Sequence, residues 1–186
     1  MSDTPLGLKC SRKYHAVRSS GARKPPYRYV VIHSTESGIE SAEAIARYFS
    51  RSSAKASSHI VVDVKGCFRT LPDDVIPWAA PPLNSHGLHI EICGYARWSK
   101  AQWHEAITAI DHAAKAAARW CADYDIPVAF ITAKGLRSGR PGITSHRNVS
   151  LAFGKSDHTD PGGGFPYWGF MSLVRHYYAE AVDLLV

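Results

Sequence analysis

The sequence predicts a single α/β domain in which a central mixed β-sheet is flanked by helices. Three observations predict it. Short β-branched runs at 30–32, 60–64 and 88–93 alternate with segments of helical periodicity, the pattern of a sheet covered by helices. A length of 186 residues with 45% hydrophobic composition suffices for one sizeable core. Charged residues at 20% and aromatics at 11% argue against wholesale disorder.

Residues 1–28 are polar and basic, contain Pro5, Pro25 and Pro26, and read as an irregular leader ahead of a domain at 29–186. Tyr29-Val-Val-Ile-His33 carries a continuous apolar run that suits the centre of a sheet. Thr35-Glu-Ser-Gly38 breaks it. Ser37-x-x-Glu40 has the form of a capping box, and Ile45, Tyr48 and Phe49 share a face, so a helix is expected over roughly 40–50. His59 to Val64, Lys65-Gly66 and Cys67 to Leu71 read as a β-hairpin with a glycine turn, followed by a proline-rich loop around Trp78. Leu88 to Cys93 is a strand whose alternation sets His89, Glu91 and Cys93 on one face and Leu88, Ile90 and Ile92 on the other.

The clearest helix starts at Ser99. Ser99-x-x-Gln102 is a capping box, and Trp98 with Trp103 forms a hydrophobic staple. Trp103, Ala106, Ile107, Ile110, Ala114, Ala117, Cys121 and Tyr124 recur at helical spacing as far as Pro127. Lys134 to Gly142 reads as a loop. A last helix from about Pro166 carries Phe170, Leu173, Val174, Tyr177, Ala181 and Leu185 on one face.

A net charge of +6 favours an anionic partner: nucleic acid, a membrane surface or an acidic wall polymer. No helix-turn-helix, zinc-finger or RNA-binding signature accompanies it, so no nucleic-acid partner is expected. Met1-Ser-Asp-Thr-Pro5 has no apolar h-region and no apolar run is long enough to span a bilayer. Synthesis in the cytoplasm without a signal peptide, and no membrane insertion, are therefore expected. Cys10, Cys67, Cys93 and Cys121 lie far apart with no C-x-x-C and read as free thiols. A monomer is expected.

The chemistry-bearing side chains concentrate in Thr144 to Gly162, which holds His146, Asp157, His158 and Asp160 among Gly and Pro residues. Imidazole nitrogen and carboxylate oxygen suit Zn²⁺, which in enzymes keeps one position for water. A further ligand has to come from elsewhere, and His33 at the end of its strand is the best candidate. Taken alone, such a histidine is more often packed or on the surface than on a metal. Glu91, between Ile90 and Ile92, is a half-buried carboxylate that has to be paired, hydrogen-bonded or functional unless its strand lies at an edge.

Hydrophobic-hydrophobic-His-Ser-Thr at 31–35, Ser58-His-Ile-Val-Val-Asp-x-Lys-Gly66, Ile90-Glu91 followed by Gly94, and His146-Arg with His158-Thr-Asp-Pro-Gly162 occur in this order. In that order they resemble the zinc-dependent N-acetylmuramoyl-L-alanine amidases of the type-2 amidase and peptidoglycan-recognition-protein family, phage endolysins in particular. The resemblance runs from Tyr29 to the final helix. It implies one zinc ion on His33, His146 and Asp160, with Glu91 as acid/base. It also implies hydrolysis of the amide between N-acetylmuramic acid and L-alanine in bacterial peptidoglycan, reached after release from the cytoplasm.

Departures from the family pattern leave alternatives open. His158 replaces a frequent Lys two residues before the third ligand, and would donate to an oxyanion when protonated or as a neutral N–H. His158 instead of Asp160 on the metal is the competing assignment. Asn148 stands where the family often has Asp. His89 occupies a place usually taken by a small residue, either lining the groove or packing. Trp78, Phe165, Tyr167 and Trp168 would stack on sugar or peptide, or simply pack. Two rival functions are a non-catalytic peptidoglycan-binding module of the same fold, and a cysteine peptidase using Cys93 and His146. The presence of both histidines, Asp160 and Glu91 argues against the first.

Overall fold

The computed structural model describes residues 6–184. Its eight strands are β1 (Cys10–Ser11), β2 (Ser19–Ala22), β3 (Tyr29–Ser34), β4 (Ile60–Val62), β5 (Cys67–Arg69), β6 (Val75–Pro77), β7 (Gly87–Ile92) and β8 (Gly142–Ser145). Six of them make one mixed sheet in the order β1-β5-β4-β7-β3-β8, while β2 and β6 pair separately. Within the large sheet only β4 and β5 run antiparallel. The helices are α1 (Ala42–Phe49), α2 (Lys100–Glu105), α3 (Ile107–Tyr124), α4 (Ala133–Arg137), α5 (His146–Phe153) and α6 (Tyr167–Asp183).

The two faces of the sheet are covered differently. Val30 and Ile32 of β3 and Leu88, Ile90 and Ile92 of β7 are buried in the same core as Ile110 and Trp120 of α3 and Phe170 and Val174 of α6. Each such aliphatic side chain contributes about 1.5–3 kcal/mol by leaving water. α3 reaches the sheet closely because Ala109, Ala113, Ala114 and Ala117 are all fully buried and small. On the opposite face Tyr29 and Val31 pack with Leu136 and Val149, and Val61 and Cys93 pack with Ala42 and Phe49. His33, His89 and Glu91 fall on this second face by the two-residue alternation of strands.

Several local expectations need correction. The leader is built into the fold: β1 pairs with β5 and β2 with β6. The Arg23 guanidinium fastens it further, donating to the carbonyls of Asp73, Asn84 and Gly87. Residues 1–5 of that leader, and Leu185 of the last helix, lie outside the described residues. Helix α1 begins after Ser41 rather than at a Ser37/Glu40 box, and Ser41 makes no side-chain cap bond. The Ala42 N–H donates instead to Asp63 Oδ2 at 3.0 Å. At Ser99 the capping box is present, and Trp98 and Trp103 meet edge to face with centroids 5.2 Å apart. The helix then breaks at Ala106 into α2 and α3. The stretch expected as a loop before His146 holds α4 and the start of β8.

Cys10 and Cys67 form a disulfide, which corrects the reading of four free thiols; Cys93 and Cys121 stay reduced and buried. Parallel register sets Cys10 directly opposite Cys67, a juxtaposition no local motif announces. The cross-link closes a chain segment with a sequence separation of 57. Loop-closure entropy then gives Cys10→Ser a cost of about 2–4 kcal/mol, read as a lower urea-unfolding midpoint that reductant does not lower further. An unchanged midpoint would contradict the bond. Among the described residues no helix is long and apolar enough to cross a membrane.

Candidate metal centre

Strand register assembles the site. In the parallel β3–β7 pair His33 stands opposite Glu91, and in the parallel β3–β8 pair Ile32 stands opposite Ser145. His33 therefore has Glu91 on one side and His146, the residue after Ser145, on the other. All three lie at the carboxyl ends of parallel strands, where open α/β sheets present ligand sites. Ser145 caps α5, its Oγ accepting from the backbone N–H of Asn148 at 3.3 Å, which fixes His146 as the first helical residue. The Asn148 amide donates to the Ile131 carbonyl at 3.2 Å, a structural bond.

Asp160 arrives on the loop that returns from α5. The backbone N–H of Arg147 donates to its carbonyl at 2.9 Å, and that of Ser34 to its Oδ2 at 3.3 Å. Gly162 lets this loop approach: its φ is +89°, and a Cβ there would lie 1.8 Å from the carbonyl oxygen of Ala96.

His33, His146 and Asp160 are buried, and one ligand atom from each lies within 4.8 Å of the others. Nδ1 of His33 is 3.1 Å from Nδ1 of His146 and 3.3 Å from Oδ2 of Asp160. Oδ1 of Asp160 is 3.2 Å from Nδ1 of His146 and 3.3 Å from Nδ1 of His158, yet neither contact has hydrogen-bond geometry, and the oxygen is buried without a partner. Two facing ring nitrogens and an orphaned carboxylate oxygen are what a shared cation would satisfy. Two imidazoles and a carboxylate, with room for a fourth ligand, fit zinc.

The electrostatics agree with that set. Burial drives the His33 pKa down to about 4 against the opposing pull of Asp160, so the ring is neutral at pH 7. Burial pushes Asp160 up, but the close ring nitrogens of His146, His158 and His33 outweigh it and hold the carboxyl well below its ordinary range. Neutral imidazole and ionised carboxylate are the forms that bind a metal. His158 sits at the rim, its side chain 59% exposed, stacked on His146 with centroids 4.2 Å apart. The Asp160 carboxylate beside it raises its pKa despite some desolvation.

Glu91 is pushed up to about 8, first by burial and then by the charges of Asp160 and Glu36. Below its ordinary value of 4.5 it is protonated folded or unfolded, and its contribution to stability is complete. Between 4.5 and about 8 the unfolded chain releases the proton first, so stability falls as pH rises. The metal-free protein should lose on the order of 2–4 kcal/mol relative to Glu91→Gln between about pH 5 and pH 8, and zinc should lessen the loss. Urea unfolding of both proteins at the two pH values checks this; parallel pH profiles would contradict it.

These residues open into a cavity of about 890 Å³ that includes His33, Glu91, His146, His158 and Asp160. Of the four aromatic candidates, Trp78 lines it. Phe165 is buried against Trp103, the Tyr167 hydroxyl donates to the Gly162 carbonyl, and Trp168 is 85% exposed on α6. His89 is fully buried and is not among the residues that line this cavity. Cys93 is buried with its thiol pushed up by burial, the wrong state for a nucleophile. A second cavity of about 410 Å³, beside α3, is lined by the paired ions Arg69–Asp73 and Arg119–Asp123 and has no ligand cluster among the described residues.

Two contributors were missed in the sequence. Glu36 accepts from the Ser34 hydroxyl and the Ala96 N–H, both at 2.7 Å, and bears on Glu91. A carboxylate three residues past His33 in a Gly-containing turn was the available signal. Ser156 lies 3.4 Å from Nε2 of His146 and is held by Ser150 at 2.6 Å; no sequence pattern marks it.

Residues 23–163 match the profile of the family described as N-acetylmuramoyl-L-alanine amidase (Amidase_2). The protein belongs to this family. The amidase also shares its fold with solved structures. A hydrolase of Staphylococcus aureus, AmiA, in complex with its ligand has 21% identity and a TM-score of 0.69, over 92% of this chain and 85% of that one. The PlyG catalytic domain has 18% identity and a TM-score of 0.62, over 92% and 96%. A mutant endolysin from Bacillus subtilis has 20% identity and a TM-score of 0.59, over 90% and 99%. No curated protein matches by sequence. The family is that of peptidoglycan amidases acting on the muramoyl-L-alanine bond, and this chain is an amide hydrolase of that kind.

Proposed function

We propose that the protein cleaves the amide between the lactyl group of N-acetylmuramic acid and L-alanine with a single zinc ion held by His33, His146 and Asp160. The observation that carries this reading is the buried convergence of those three ligand atoms within 4.8 Å, next to Glu91. Residues 29–186 form the catalytic domain on this reading, buttressed by the two short strands before it. Phage-type lysis from outside the cytoplasm fits the endolysin neighbours.

A zinc ion bound there supplies a Lewis acid that lowers the pKa of water from ~15.7 towards ~7 and polarises the scissile carbonyl. Glu91 faces the same cavity, and its carboxylate takes a proton from the attacking water and delivers it to the leaving nitrogen. Asp160 keeps its charge and, with the backbone N–H of Ser34, stays aimed at the ligand cluster. His158 at the rim donates an N–H to the developing oxyanion. Trp78 offers an exposed ring along the cavity for a sugar or peptide to stack on.

His158→Ala should lower kcat about 10²-fold with little change in KM, because the donor acts on charge that develops only in the transition state. His158 loses its proton as pH rises through a pKa raised by Asp160. His158→Lys should therefore hold activity further into the alkaline range, seen in the pH–rate profile. Coincident alkaline limbs for the two would rule out an ionised donor.

The function is tested by digesting purified peptidoglycan and identifying the new ends by mass spectrometry. Stem peptides with free L-alanine amines and intact glycan strands are expected, and a chelator should stop their release. Binding to the wall with no new ends would mark a non-catalytic module.

A further inference from the structure

The two ring nitrogens of His33 face opposite ways. Nδ1 points into the ligand cluster, 3.1 Å from Nδ1 of His146. Nε2 points into the protein, 3.0 Å from Nδ1 of His89. A metal needs an unprotonated nitrogen, and a neutral imidazole carries one proton. If Nδ1 of His33 serves the metal, its proton sits on Nε2 and points at His89. We infer that His89 is a positioning residue: its Nδ1 accepts the hydrogen bond from Nε2 of His33 and so fixes the tautomer and ring orientation that present Nδ1 to the metal. This rests on the zinc reading above.

Three features of the structure support it. The β3–β7 register places His89 opposite Val31, two residues from Glu91 on the same face, so its ring reaches His33 diagonally, with centroids 5.3 Å apart. His89 is fully buried, and its Nε2 has no partner among the described residues. With Nδ1 accepting, that Nε2 carries a buried N–H with nothing to donate to. A leucine of similar volume would fill the space without this cost, so packing alone does not call for histidine. The surroundings are built for the ring. A Cβ on Gly87 would lie 2.9 Å from His89 Nε2. Behind it the His59 ring stacks at 12°, its Nδ1 accepting from the backbone N–H of His89 at 3.1 Å.

Partners that orient metal-bound histidines typically change metal affinity 10–100-fold when removed. The test compares zinc affinity of wild type, His89→Leu and His89→Asn by competition with a chromogenic chelator, together with the thermal unfolding of each metal-free protein. Asn can place its Oδ1 where His89 has Nδ1; Leu keeps volume and loses the acceptor. His89→Leu should bind zinc about 10–100-fold more weakly at equal or higher metal-free stability, with His89→Asn within about threefold of wild type. Zinc bound by His89→Leu as tightly as by wild type, or an Asn variant as weak as Leu, would overturn the inference. Nitrogen-15 spectra of wild type need no variant to fold: His33 should carry its proton on Nε2, and a proton on Nδ1 would overturn it too. A wild type that binds no zinc would instead sink the metal reading on which it rests.

Discussion

His146→Ala should abolish tight zinc binding and lower peptidoglycan amide hydrolysis on the order of 10³-fold or more, while the metal-free protein stays folded. The loss is large because two of the three protein ligands cannot hold the ion at neutral pH, and with it goes the shift that makes water a nucleophile. Folding should survive for a specific reason. In the metal-free state Nδ1 of His146 confronts Nδ1 of His33 at 3.1 Å and an orphaned Asp160 oxygen, so removing it relieves as much as it removes. The N-cap of α5 is Ser145 and is untouched. Zinc titration, wall hydrolysis and thermal unfolding on one preparation check all three parts. Full activity without bound zinc would refute the role given to His146.

Glu91→Gln should keep zinc within a few-fold of wild-type affinity and still lose about 10²–10⁴ in kcat. Gln has the shape of Glu but cannot take up a proton. The two variants thus separate holding the ion from moving the proton. The pKa of about 8 adds a pH expectation with a definite sign. Below its pKa Glu91 is protonated and cannot act as base; a zinc ion close by favours the ionised form and pulls that limb to lower pH. The acid limb of the kcat profile should therefore lie below pH 8 in the zinc-loaded enzyme and vanish in Glu91→Gln, where residual rate becomes nearly flat. An unchanged limb in the variant would assign the titration to another group.

Much of this was legible in the chain because it depends on local pattern. The apolar run ending in His33 predicts a central strand, and the alternation around Glu91 predicts which face it shares with His89. The Ser99/Gln102 box and the Trp98–Trp103 staple are read directly from spacing. What was not legible depends on register between distant segments. Cys10 meets Cys67 only because β1 pairs with β5. Strand β8 is four residues long, too short for a periodicity to declare itself. His89 reads as an odd substitution in a strand until the parallel pairing of β3 and β7 puts its Nδ1 against His33. The break at Ala106 has no Gly or Pro to mark it.

The most direct measurement is a titration of the metal-free protein with zinc, with bound metal and peptidoglycan amide hydrolysis followed in the same samples. Activity should rise in proportion to bound zinc and level off at one ion per chain, with no second ion taken up tightly. Hydrolysis at full rate before any zinc is added, or saturation with no gain in rate, would contradict a zinc centre built from His33, His146 and Asp160.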